Sequence, residues 1–152
     1  MIIKQATSED IAEILNLQKL AYKSEAEIYN NYRIQPLTQT IDEIICEFNT
    51  RTFIKAVHDG IIVGSVRAHV KNDTCFVGKL IVHPNYQNQG IGSALMAKIE
   101  NIFSDTRRYE LFTGHRSLRN LYLYKKLGYK EFKREVLSNN ITHVFMEKHC
   151  AT

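Results

Sequence analysis

Apolar residues near the start of the chain recur twice at helical spacing. Ile11, Ile14 and Leu15 follow Thr7, with Asp10 three residues on as a capping-box-like start, and predict a helix to about Tyr22. Ile41, Ile44, Ile45 and Phe48 follow a full capping box, Thr40 with Glu43, and predict a second helix. Met1 to Ala6 ahead of them reads as a short strand, and Lys23 to Gln39 between them holds no sustained period. From Thr52 the pattern becomes that of strands: Thr52–Val57, the Asp59-Gly60 turn, Ile61–Val70, the Asn72-Asp73 turn, then Thr74–Val82 with Gly78 suggesting a bulge or close backbone approach. Ala94, Leu95, Ile99, Ile102 and Phe103 return to helical spacing. A strand over Tyr109–Thr113 follows, then a helix over Ser117–Leu127 stopped by Gly128. Lys130–Leu137 and Ile141–Met146 close the chain as a hairpin around Ser138-Asn139-Asn140. The order β-α-α-β-β-β-α-β-α-β-β describes an α/β (mixed α+β) fold, a mixed sheet covered by helices.

Composition narrows the class. At 152 residues, positions 1–152 form one domain large enough for a real core, and 44% apolar with 24% charged residues is ordinary for a soluble globular protein. No stretch approaches the roughly 20 apolar residues of a membrane helix, and Met1-Ile2-Ile3-Lys4 lacks a signal-peptide layout, so the cytoplasm is the expected location. Cys46, Cys75 and Cys150 match neither a metal nor a disulfide pattern, and Cys46 and Cys75, set among apolar residues, read as packing groups. The net charge of +4 is too small and too evenly mixed to argue for a nucleic-acid partner.

The chemistry concentrates between Leu80 and Leu95. Ile81 and Val82 end a strand that Pro84 stops, and the loop Gln87-Asn88-Gln89-Gly90-Ile91-Gly92 leads into the helix containing Ser93. Unpaired backbone N–H groups and the helix dipole favour an anion there, and Gly90 and Gly92 let it approach the backbone. A dinucleotide fingerprint fails because Leu95 stands where its third glycine belongs, and a P-loop fails because Ser93-Ala94 replaces its Lys-Ser/Thr pair. The alternative is that the glycines serve only tight packing of strand against helix.

Gln87-Asn88-Gln89-Gly90-Ile91-Gly92 after Val82-His83-Pro84 resembles motif A of the GNAT N-acetyltransferase superfamily, Arg/Gln-x-x-Gly-x-Gly/Ala. Independently, Tyr124-Lys125-Lys126-Leu127-Gly128-Tyr129 is similar to that family's motif B, although Ser117 stands at the usual asparagine position and Asn120 lies four residues before the tyrosine. The resemblance runs along nearly the whole chain. It implies the GNAT fold, a central mostly antiparallel sheet flanked by helices that splays between Thr74–Val82 and Tyr109–Thr113. It further implies acetyl-CoA as cosubstrate and no metal. Backbone groups of Leu80, Ile81 and Val82 would hold the pantetheine. Gln87, Asn88, Gln89, Gly90, Ile91, Gly92 and Ser93 would cradle the pyrophosphate. Ser117 or Asn120 would reach the pantetheine arm, and Tyr124 would bind the cofactor and protonate the departing thiolate. The acceptor implied is a small-molecule or peptide amine, received by the region containing Tyr22, Glu25, Glu27, Tyr29, Tyr32 and Arg33, with neither nucleic acid nor membrane as partner and a second copy of the chain as a candidate one. Phe76 occupies the position where some members carry a glutamate base, which leaves Glu110, His69, Asp73 or a water chain as proton acceptors, while His83 is expected at the solvent-facing strand end. A non-catalytic CoA-binding module on the same fold is the competing reading.

Overall fold

Turn chemistry and strand alternation set the sheet. The computed structural model describes residues 1–137 and 140–150, and within them seven strands run in the spatial order β1-β2-β3-β4-β5-β7-β6. These are β1 (Ile2–Gln5), β2 (Thr52–His58), β3 (Ile61–Lys71), β4 (Thr74–Val82), β5 (Arg108–Gly114), β6 (Lys130–Val136) and β7 (Thr142–His149). Asp59 and Gly60, at φ of 51° and 77°, join β2 to β3, and Asn72 and Asp73, at 51° and 62°, join β3 to β4. Both pairs supply the left-handed residues that two-residue hairpins require. Of the last hairpin's expected turn, Ser138 and Asn139 lie outside the described residues.

Neighbouring strands are antiparallel except β4 and β5, which pair in parallel over only three rungs, from Thr74–Arg108 to Phe76–Glu110. Beyond Phe76 the two strands part, as the family resemblance implies. Within β4 the ladder to β3 skips between Ser65 and Arg67, which face Ile81 and Gly78. A bulge therefore does form beside Gly78, but the left-handed residue is Lys79, at φ 47°, and a Cβ added at Gly78 would meet nothing within 4 Å.

Helices cover both faces. α1 (Ile11–Ala21) and α4 (Ile41–Thr50) bury Ile14 and Ile44 on Phe53, Ile62 and Ile81. α5 (Ile91–Ile102) buries Leu95, Met96 and Ile99 on Ile54, Val63 and Val66, in a core that continues through Leu111 and Met146 to Tyr124 of α6 (Leu118–Lys126). Both capping boxes form, with the Glu43 N–H donating to Thr40 Oγ1 at 3.2 Å and the Thr40 N–H to Glu43 Oε1 at 2.9 Å. The aperiodic stretch Lys23–Gln39 is not a loop throughout, since it contains α2 (Lys23–Tyr29) and the one-turn α3 (Gln35–Thr38). Cys75 is buried, its thiol pushed up to about 12 by burial, whereas Cys46 faces solvent and is no packing group. Among the described residues no helix is long and apolar enough to cross a membrane.

Candidate active site at the split in the sheet

A groove of about 750 Å³ opens where β4 leaves β5. One wall is Leu80, Ile81 and Val82, and its end is formed by Gln87, Asn88 and the residues Gly90 to Ser93. Gln89 is exposed and does not line it. The His83 N–H donates to the Val63 carbonyl at 2.8 Å. By antiparallel alternation the backbone of Ile81 then faces Ser65, its partner in register, and the N–H and C=O of Leu80 and Val82 face the gap. The expected three-residue edge is thus reduced to two residues, with the Ile81 side chain buried in the α1 face.

Gly90 caps α5 at φ 80°, and the first helical bond runs from the Ala94 N–H to its carbonyl at 3.0 Å. The amides of Ile91, Gly92 and Ser93 are left without a helical acceptor. A Cβ at Gly92 would lie 3.2 Å from Leu123 Cδ2 and 3.7 Å from Leu80 Cδ2, in the narrow part of the groove between β4 and α6. One at Gly90 would meet nothing, so its role is backbone conformation. A cradle of free amides at a positive helix end, with its throat kept clear at Gly92, suits an elongated ligand ending in a diphosphate. His83 is half-buried, and its Nδ1 accepts from the Asn85 N–H at 3.0 Å, starting the 3₁₀ turn at Pro84.

Ser117 precedes α6 but does not cap it through its side chain. Its hydroxyl is instead buried between Tyr29 Oη, at 2.9 Å, and Glu25, to which it donates. Tyr29 Oη also accepts from the Arg116 N–H at 2.9 Å. This clasp ties α2 to the β5–α6 connection, and only a glycine fits beneath it: a Cβ at Gly114 would fall 2.0 Å from Tyr29 Oη. Asn120 lies on the groove wall with its Nδ2 3.4 Å from Thr113 Oγ1. Tyr124 is buried at 5% exposure, its hydroxyl engages no partner among the described residues, and burial followed by Tyr22 and Glu25 pushes its phenol well above the ordinary value. It therefore holds its proton at neutral pH.

Tyr124 lines a second cavity, of about 510 Å³, on the far side of the split. The two spaces meet at Tyr22, Glu25, Leu80 and Asn120. Tyr29 joins the cavity lining, whereas Glu27, Tyr32 and Arg33 are exposed and take no part in it. Glu110 lines it in an ion pair with Arg108 at 2.8 Å, and His69 lines it stacked on Phe76. Asp73 lies outside, in an exposed pair with Arg107. The feature that sequence reading did not find is a charge cluster around the half-buried Glu47. Arg67 Nη1 lies 3.3 Å from both its carboxylate oxygens, Lys79 Nζ lies 3.4 Å and Arg51 Nε 3.8 Å away, and Gln39 donates to it as well. Burial opposes the charge on Glu47, but Arg67 and Lys79 outweigh it and hold the carboxyl below its usual range. The one signal in the sequence was Arg67, set between Val66 and Ala68 in the middle of a largely apolar strand.

The acetyltransferase (GNAT) domain family matches residues 17–150. A presumed acetyltransferase of Bacillus subtilis (strain 168) is 24% identical over 149 residues, 97% of this chain and 96% of the relative. Among solved structures, the ribosomal-protein-S18-alanine N-acetyltransferase of Escherichia coli superposes with a TM-score of 0.82 at 14% identity, over 99% of this chain and 94% of that one. The PaiA N-acetyltransferase of Thermoplasma acidophilum, in complex with coenzyme A, gives 0.81 at 17% identity over 99% and 100%. The smu.2055 protein of Streptococcus mutans gives 0.84 at 20% identity over 98% and 99%.

Proposed function

Since the chain belongs to the acetyltransferase (GNAT) domain family, we propose that it is an N-acetyltransferase carrying the acetyl group of acetyl-CoA to a primary amine. The observation that supports this most is the meeting of two spaces at Tyr22, Glu25, Leu80 and Asn120, one suited to a long diphosphate ligand and the other to a small acceptor. Acetyl-CoA supplies the activated acetyl group. The amides of Ile91, Gly92 and Ser93, with the α5 dipole, bind its diphosphate. The outward backbone groups of Leu80 and Val82 orient the pantetheine as an added strand would, and one of these amides polarises the thioester carbonyl. Asn120 stands on the same helix face one turn before Tyr124 and reaches the arm from the opposite wall. Ser117 acts indirectly, because its hydroxyl is already taken by Tyr29 and Glu25. When the amine nitrogen attacks the thioester and the C–S bond breaks, Tyr124 Oη gives its proton to the departing sulfur, and the proton shed by the acylated nitrogen restores the Tyr124 phenol.

Titration calorimetry with acetyl-CoA, paired with thiol release across a panel of amines and mass spectrometry of the products, tests the assignment. The expected result is binding together with acetylated product. Binding with no thiol released by any amine would support a non-catalytic CoA-binding module instead.

A further inference from the structure

The wall of the acceptor cavity formed by α4, β3 and β4 carries more positive charge than it needs to hold itself together. Three cations, Arg51, Arg67 and Lys79, surround the single carboxylate of Glu47. Arg67 alone would satisfy that carboxylate. It is 2% exposed, contacts both oxygens, places Nη2 2.6 Å from Gln18 Oε1 and lays its guanidinium 4.4 Å over the Phe53 ring. Its Nε has no partner among the described residues, so the cluster offers more N–H donors than its own acceptors engage. Lys79 lines the cavity and is itself the left-handed bulge residue of β4, a conformation a lysine seldom adopts and one that concentrates at functional sites.

The remaining titratable groups around the cavity do not cancel this surplus locally. Glu110, on the opposite wall, is paired with Arg108. His69 and His143 are both held below the usual histidine range by burial, His69 additionally by Arg51 and Lys71, and so are neutral at neutral pH. Glu25 lies at the other end, beside the junction with the groove, where it accepts from Ser117. Tyr22 stands between the two ends: burial and then Glu25 push its phenol up, while Arg67 pulls it down. The cavity is therefore polarised, acidic and phenolic at the junction where the amine must meet the thioester and cationic at the Glu47 cluster. Its volume of about 510 Å³ is in the range of metabolite sites.

Resting on the N-acetyltransferase reading, we propose that the acceptor is a small primary amine bearing an anionic group, a carboxylate or a phosphate, that is bound by Lys79 and Arg51 on the Arg67–Glu47 platform. The ligand's anion supplies the counter-charge the cluster lacks, and its amine is directed toward Glu25, Tyr22 and Tyr124. Charge-assisted contacts of this kind discriminate because a neutral analogue leaves the partly buried Lys79 and Arg51 without that partner.

The test is a set of matched amines sharing one skeleton and differing only in the distal group: carboxylate, phosphate, neutral amide, or a second amine. The expected result is a kcat/KM for the carboxylate or phosphate member at least tenfold above that of its amide counterpart, the better of the two identifying the anion. Lys79→Gln should abolish that preference through KM for the anionic amine, and Lys79→Arg should retain it, with KM for acetyl-CoA unchanged in both. Equal or better turnover of the neutral or dicationic member by the wild type would overturn the proposal, as would a Lys79→Gln loss that is the same for all four amines. Failure of every amine to release thiol while acetyl-CoA still binds would overturn the N-acetyltransferase reading itself, a result distinct from the wrong preference.

Discussion

Tyr124 and Gly92 carry separable parts of the proposed reaction, one through an atom it has and the other through atoms it lacks. Tyr124→Phe removes a hydroxyl that has no partner among the described residues and keeps the buried ring, so folding and coenzyme A affinity should change little. Loss of a general acid lowers turnover by about 10²–10⁴-fold. A steady-state assay at saturating acetyl-CoA measures it, and a wild-type rate would remove Tyr124 from the mechanism. Gly92→Val places new carbon atoms against Leu123 and Leu80 in the groove's throat. Overpacking of this order costs about 1–3 kcal/mol, or roughly five- to 140-fold in affinity where a ligand must share the space. Calorimetry should register that loss for coenzyme A. Gly90→Val should weaken binding for another reason, because valine resists φ of 80° and the loop amides would turn away. Unchanged affinity in both variants would refute the diphosphate assignment.

Among the elements, α4 is the one whose position the charge cluster depends on, because it presents Glu47 to Arg67 and Lys79. Its start is fixed by the reciprocal Thr40–Glu43 box, and Thr40→Ala should cost ~1 kcal/mol of unfolding free energy, read from a urea midpoint at unchanged slope. That box was legible in the sequence because its signal spans four residues, and so were the Asp59-Gly60 turn and the limits of β4; α5 starts two residues earlier than expected, its first turn taking in Ile91 and Gly92, which had read as loop. α2 and α3 were not legible. Each is short, α2 turns only Ala26 and Tyr29 fully inward, and Pro36 sits in the first turn of α3, so no apolar period accumulates. The same reason divides the site. The glycine loop is contiguous and announces itself, whereas Arg67, Glu47 and Lys79 come from three elements and meet only through the strand register and the packing of α4 on the sheet. Lys79 was hidden further because glycine at position 78 drew the expected distortion one residue early. Ser117 was recognisable as a helix-starting residue, but nothing local revealed that Tyr29 and Glu25, some ninety residues earlier, would take its hydroxyl.

For the molecule as a whole, the half-buried Glu47 carboxylate makes stability depend on pH in a definite direction. Glu47 has a folded-state pKa below its unfolded value of about 4.5, so its contribution is complete above that value and is lost as the pH falls through the lower one. Melting temperatures should accordingly drop on acidification below about pH 4.5, and Glu47→Gln should make that part of the curve shallower while lowering its plateau. A parallel wild-type and variant slope would exclude Glu47 as the source. The three parallel rungs between β4 and β5 carry a different consequence. They are a weld at one end of a seam between two slabs, β1–β4 and β5–β7, and the Tyr29 clasp is a buckle across the open end. Thermal breathing will start at that seam, and a pantetheine lying along Leu80 and Val82 would stitch it. Acetyl-CoA should therefore slow amide deuterium uptake in β5 and β7 as well as in the loop it touches, making the cosubstrate a missing strand of the fold as much as a reactant.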